Sequence, residues 1–336
     1  MPDDAETPKR RGRQPKAEKT EPDEPESPLL QITGIGPTTL EKLTEAGYDD
    51  LMMIAVASPG EIAEEAGIGM GAAQKIIEGA RKAANVEGFR SATDLLEERK
   101  SKKRLKIGVA SLDDLIGGGF EPGAITEAFG EFGSGKTQIG HQLAVNVTLP
   151  ENEGGLNGEC AWLDSEGMFV PERIRQMAEA KKLDSGSIMS KIHVARAFNS
   201  QHQEIQVDKI SEISKEHPIR LIVVDSLTAH FRAEYPGRGE LAGRQQKLNT
   251  HIHSLLKIGS RIGAVIYVTN QVMASPGAMW GDPTRPIGGH ILGHASAYRL
   301  YLRKSKAPKR IARLVDPPSL PEGEAVFSVT EEGITE

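Results

Sequence analysis

An α/β fold on a mixed, mostly parallel sheet, preceded by a small all-helical domain, is predicted by three observations. From about Lys106 onward, apolar runs alternate with amphipathic ones, the rhythm of strands and helices in one layered core. Between Leu29 and about Gly88 the spacing is helical and broken by glycine turns. A complete Gly-x-x-x-x-Gly-Lys-Thr run stands directly after a strand candidate and before a helical stretch. A length of 336 residues fits two domains at roughly 150 residues each.

Composition removes other classes. Hydrophobic residues at 38% and charged residues at 26% are ordinary for a globular chain and exclude collagen, coiled coil or full disorder. The longest apolar run, Leu51 to Ala57, has seven residues against the roughly 20 needed to cross a bilayer, so no membrane partner is expected. Met1 to Lys16 is charged and proline-bearing without an apolar core, unlike a signal peptide. The single cysteine, Cys160, forms no internal disulfide and no multi-cysteine zinc site, which suits a reducing cytoplasm. With 41 basic and 47 acidic residues the net charge is −6, so any binding of nucleic acid must be local.

Taken in order, residues 1–28 hold six prolines, eight acids and six bases, and read as a disordered tail. Within them Lys9 to Lys16 resembles an Arg-Gly-Arg-Pro minor-groove hook interrupted by Gln14; a solvated charge run is the plainer alternative. Residues 29–87 carry one signal twice. Gly34-Ile35-Gly36 and Gly67-Ile68-Gly69 each precede a helical stretch, the pattern of a helix-hairpin-helix module. Its glycines let backbone N–H groups approach a phosphate, although tight inter-helix turns would need the same residues. Residues 88–105, with the charged run Glu97 to Arg104, read as an exposed linker. Residues 106–336 form the α/β core. Strands are expected at 124–128, 160–163, 192–195, 221–224, 263–268, 298–302, 311–315 and 325–329, the last three antiparallel, with helices at 137–147, 171–182, 203–215 and 244–262.

The chemistry lies at strand ends. In Gly130-Glu131-Phe132-Gly133-Ser134-Gly135-Lys136-Thr137, the glycines turn N–H groups toward phosphates, Lys136 neutralises their oxygens and the Thr137 hydroxyl suits Mg²⁺. That is a nucleoside triphosphate site. Leu221 to Val224 runs into Asp225, the second Mg²⁺ residue. Ala161 to Leu163 runs into Asp164-Ser165-Glu166, where Glu166 is the candidate to orient an attacking water and a helix cap is the alternative. Val265 to Val268 ends in Asn270-Gln271, amides able to sense a γ-phosphate. Two glycine-rich segments follow the Asp225 and Gln271 strands: Arg232 to Gly239 and Met273 to Gly289. Their arginines and Trp280 suit single-stranded nucleic acid, with plain surface loops as the alternative. His290 and His294, four apart, lack a third ligand nearby, so no metal is assigned to them.

On these residues, together with SLTAHFRAEYPGRG, RQQKLN, TNQVM, GDPTRPIGGHILGHA, RIARLVD and LPEGEAVF, the chain from about Leu29 to its C-terminus resembles the archaeal RadA recombinases, RecA-type strand-exchange ATPases. The resemblance implies a RecA-type P-loop core and ATP with Mg²⁺ as cofactors. It also implies self-association into rings or helical filaments on single-stranded DNA, pairing with homologous double-stranded DNA, and a cytoplasmic, nucleoid-associated location. By the same resemblance Glu166 is the catalytic glutamate, Lys136 and Gln271 act beside it, Arg173 stacks on adenine and His294 lies near the γ-phosphate. Asp316 to Pro321 caps a neighbour's ATP. Phe89 and Ala92 form the polymerisation motif, and Arg232, Arg238, Arg244, Trp280 and Arg285 with hairpin glycines Gly34, Gly36, Gly67 and Gly69 contact DNA. Val170, Gly243 and Met279-Trp280 depart from the family pattern. Two rivals would keep the P-loop: a DNA-binding mediator that exchanges no strands, and a regulatory ATPase acting on protein.

Overall fold

The computed structural model describes residues 27–83, 91–274 and 284–336. The tail and its basic hook therefore lie outside the described residues, apart from Ser27 and Pro28. The chain divides into two compact units between Arg90 and Ser91.

The first unit follows a 3-10 turn with α1 (Pro37–Glu45), α2 (Leu51–Val56), α3 (Pro59–Glu65) and α4 (Met70–Ala83). Each start is written locally: Pro37 and Pro59 open α1 and α3, Asp50 accepts from the Met52 and Met53 amides, and Ser58 with Glu61 closes a capping box. Such short helices are marginal alone and are held by shared burial of Leu43, Ile54, Ile62, Ile76 and Ile77. Ile35 anchors its hairpin in that core as expected, while Ile68 is only partly buried.

The second unit contains α5 (Ala92–Ser101), α6 (Ala110–Leu115), α7 (Lys136–Asn146), α8 (Pro171–Ala180), α9 (Ser185–Ser190), α10 (Ser200–Ile213), α11 (Ala229–Glu234), α12 (Leu241–Ile262) and α13 (Gly289–Ala295). Its strands are β1 (Ile125–Gly130), β2 (Glu159–Asp164), β3 (Ile192–Arg196), β4 (Ile219–Asp225), β5 (Val265–Asn270), β6 (Val272–Ala274), β7 (Thr284–Pro286), β8 (Ser296–Lys304), β9 (Lys309–Leu314), β10 (Gly323–Thr330) and β11 (Gly333–Thr335). The charged run expected as linker begins inside a helix, α5, which Ser91 caps and which buries none of its side chains, and Lys102 to Arg104 follow it. Leu105, immediately after the run, is fully buried.

Nine strands form one sheet in the order β11-β10-β9-β8-β1-β5-β4-β2-β3. Pairing is parallel from β8 through β1, β5, β4 and β2 to β3, and antiparallel where β9, β10 and β11 return. The central strands are buried on both faces, as their unbroken apolar runs require. Along β2 and β4, Cys160, Trp162, Leu221 and Val223 pack on one face, while Ala161, Leu163, Ile222 and Val224 pack on the other. Register then sets Asp164 beside Asp225, and Asn270 beside Phe129, so the chemistry-bearing strand ends finish at one level.

Candidate active site

β1 delivers the chain into the phosphate loop at Gly130, and α7 leaves it at Lys136. Gly135 has φ +106°, so the backbone there demands glycine, while a Cβ would make ordinary contact with the Phe327 ring at 3.4 Å. Lys136 Nζ donates to the Gly130 and Glu131 carbonyls at 2.9 and 3.0 Å. The buried Ser134 Oγ, inside the same loop, has no partner among the described residues. An orphaned hydroxyl and an ammonium resting on its own loop both fit a nucleotide whose phosphates would engage them.

β4 ends in Asp225, whose carboxylate accepts from Thr137 Oγ1 at 2.8 Å and from the Thr269 hydroxyl. Burial raises the Asp225 carboxyl above its ordinary value; the two hydroxyls oppose that, and the Glu166 and Asp164 carboxylates add to it. Lys136 is lowered chiefly by burial, against the pull of Asp225 and Glu166. A buried carboxylate beside a hydroxyl and two further acids is a donor set that fits Mg²⁺.

The two acids after β2 separate their tasks. Asp164 Oδ1 accepts from the Glu166, Gly167 and Met168 amides at 3.2, 2.6 and 3.0 Å, and so holds the turn. Glu166 is thereby freed from capping and projects into the cleft. Its Oε1 accepts from Ser226 Oγ at 2.6 Å and from Gln271 Nε2 at 2.8 Å, tying the ends of β2, β4 and β5 together. A cleft of about 1110 Å³ is lined by the phosphate loop, Glu166, Arg173, Asp225 and Gln271. Arg173 is secured by Gln138 Oε1 at 2.7 Å and by the Glu331 carbonyl at 2.6 Å.

Several groups in and behind the cleft are not signalled by the sequence motifs. Ser226 holds Glu166 and Thr269 holds Asp225, Tyr267 donates its hydroxyl to the Lys136 carbonyl at 2.8 Å, and Arg310 Nε donates to the Gly133 carbonyl at 3.1 Å. Lys304 stands beside Gly133 as well, since a Cβ there would meet its Nζ at 3.3 Å. Only the basic character of the β8–β9 turn, with Lys304, Lys306, Lys309 and Arg310, signals these cations in sequence.

A buried polar chain lies behind the site. Asn270 donates to Glu127 Oε1 at 2.8 Å and to the Ile287 carbonyl at 2.5 Å, and accepts from Thr228 Oγ1 at 2.8 Å. Glu127 in turn accepts from Arg299 Nε at 2.9 Å, and Arg299 reaches Asp316 at 3.8 Å.

Other expected residues stand apart. His294, Asp316 and Pro321 do not line the cleft of their own chain. Arg232 was expected in a loop but is exposed on α11, because the helix continues to Glu234 before the glycines end it. Arg244 lies on α12, 3.4 Å from the Tyr235 carbonyl, and Ala92 opens α5. Phe89 and Trp280, and the side chains of Arg238 and Arg285, lie outside the described residues. In the first unit Gly34 and Gly67 have φ +102° and +59°, and a Cβ on Gly36, Gly67 or Gly69 would meet nothing within 4 Å. Lys42 Nζ reaches the Gly67 carbonyl at 3.5 Å, placing one cation beside the second hairpin.

Comparison with known proteins agrees with this architecture. The Rad51 family profile matches residues 98–336, and the SAM-like helix-hairpin-helix tandem matches residues 26–82. The chain is similar to the DNA repair and recombination protein RadA of Methanocorpusculum labreanum, with 52% identity over 321 residues, covering 91% of this chain and 98% of the relative.

Proposed function

The chain belongs to the Rad51 family of RecA-type recombinases, and from that premise we propose how its cleft couples ATP to DNA. Its function is DNA recombination and repair, as a DNA-dependent ATPase that exchanges strands. The observation that carries the coupling is the Gln271–Glu166 hydrogen bond of 2.8 Å, because Gln271 is also the residue from which the glycine-rich segment after β5 departs.

ATP is the substrate of the cleft, held by residues 130–137, with Arg173 placed to meet the adenine. Thr137 and Asp225 would hold Mg²⁺, which neutralises phosphate charge. Glu166 orients water for attack, and Ser226 keeps its carboxylate aimed. Lys136 leaves the loop carbonyls for phosphate oxygens. When a γ-phosphate competes for the Gln271 amide, the segment behind it is pulled, which ties ATP to the shape of the DNA-contacting loop. Arg232, Arg238, Arg244, Trp280 and Arg285 meet single-stranded DNA, and the hairpin glycines Gly34, Gly36, Gly67 and Gly69 meet duplex phosphates.

His294 and Asp316 to Pro321 complete the site of a neighbouring protomer, which accounts for their distance from their own cleft. Phe89 and Ala92 dock one protomer on the next, giving rings or helical filaments on single-stranded DNA that pair with homologous duplex. Among the described residues no helix is long and apolar enough to cross a membrane.

The deciding experiment is ATP-dependent strand exchange between a single-stranded circle and homologous linear duplex, with Lys136→Ala alongside. Joint molecules should require ATP and vanish in the variant. ATPase stimulated by single-stranded DNA without joint molecules would identify a mediator instead.

A further inference from the structure

At the strand ends opposite the nucleotide cleft, three side chains distant in sequence converge. Glu159 opens β2, His193 is the second residue of edge strand β3, and His217 lies between α10 and β4. Ala161 pairs with His193 across β2 and β3, and Glu159 shares the Ala161 face because strand side chains alternate. Glu159 Oε2 is 2.7 Å from His193 Nε2 and 3.0 Å from His217 Nδ1. The two imidazole rings lie 4.3 Å apart, tilted by 55°. One nitrogen from each ring is thus aimed at a single carboxylate oxygen, and the three donor atoms lie within 4.8 Å of one another.

We propose that Glu159, His193 and His217 form a binding site for a borderline divalent transition-metal ion of the Zn²⁺ or Co²⁺ class. Two imidazole nitrogens and one carboxylate oxygen form the three-protein-ligand set that such ions accept, leaving other positions to water. Bond lengths of about 2.0–2.1 Å around a tetrahedral ion imply donor separations of roughly 3.3 Å. The existing 2.7 and 3.0 Å spacings therefore need to open by only a few tenths of an ångström. Water has access, because the Glu159, His193 and His217 side chains are 16%, 27% and 40% exposed. Nitrogen ligands also separate this site from the Mg²⁺ residues, since Mg²⁺ prefers oxygen donors. Sequence spacing hides the cluster: His193 and His217 are 34 and 58 residues from Glu159.

An ion here would pin the edge strand β3 to β2 and to the turn entering β4. Binding only the folded state, it would raise the melting temperature.

The test uses the full chain, stripped with a chelator and held in excess Mg²⁺ without nucleotide. Titration with Co²⁺, followed by visible absorption, should reach one equivalent per chain, and Zn²⁺ should displace it and raise the melting temperature. A His193→Gln, His217→Gln double variant should bind more weakly by over the roughly 10- to 100-fold that losing an outer-shell partner costs. Glu159→Gln, which keeps the shape of the side chain, should also weaken binding and serves if the double variant fails to fold. A His290→Ala control should bind as the parent does. No saturable Co²⁺ or Zn²⁺ binding by the parent would overturn the site. Parental affinity in the double variant, or in Glu159→Gln where that is the one that folds, would overturn it equally.

Discussion

Glu166 has two donors fixed on one carboxylate oxygen, Ser226 Oγ and Gln271 Nε2. Glu166→Gln keeps the length of the side chain but loses the charge that polarises water. We expect the variant to assemble on single-stranded DNA with ATP while hydrolysis falls by about 10²-fold or more; hydrolysis at the parental rate would remove Glu166 from the mechanism. Lys136, Thr137, Asp225 and Glu166 were legible because each sits at a motif position or ends an apolar strand run. Ser226, Thr269 and Tyr267 were not, because their roles depend on which strands become neighbours. Arg310 and Lys304 are less legible still, since β8 running parallel to β1 and β9 turning back on it bring them to a loop more than 160 residues earlier in the chain.

At the scale of elements, α7 must lie close against the sheet for its first residues to face the cleft, and Gly140 permits that approach. A Cβ at Gly140 would stand 2.9 Å from the fully buried Trp162 ring, which has no free end to swing aside. Gly243, on α12, has nothing within 4 Å of its Cβ position. The same substitution should therefore have opposite signs. Gly140→Ala should lower stability by about 1–3 kcal/mol through overpacking, and Gly243→Ala should raise it by about 0.5–1 kcal/mol. Urea denaturation of both proteins decides this, and equal effects would refute the packing argument. The eight main strands could be read from sequence because runs such as Leu221 to Val224 are apolar on both faces. Strands β6, β7 and β11 have three residues each, too few for a pattern. Helix α5 is exposed on every face, so its charges resemble a linker even though Ser91 caps it.

For the molecule as a whole, acid should loosen the α/β core from both faces of the sheet. His141 stacks on Trp162 at 4.8 Å, and His251 packs by Phe231 at 5.5 Å. Burial, joined at His141 by the Arg173 charge, lowers each from 6.5 to about 4. The unfolded chain therefore binds protons that the folded chain refuses. Stability is full above about pH 6.5 and falls as pH drops toward 4, by about 3 kcal/mol per histidine at 1.36 kcal/mol per unit. Denaturant titrations from pH 7 to 4.5 should show the decline, and His251→Gln should reduce its slope by about one proton. An unchanged slope would mean that His251 is protonated in the folded state.

Asn270 is fully buried and has both amide protons and its oxygen engaged. One bond goes to Thr228, which leads into α11, and another to Ile287, where the segment after β5 returns. Thr228 and Ile287 are therefore moored to a single post. Twisting that amide would slacken both bonds at once, so the two moorings are coupled. Through Glu127 and Arg299 the same post is linked to Asp316, so these four groups and the two moorings share one polar chain.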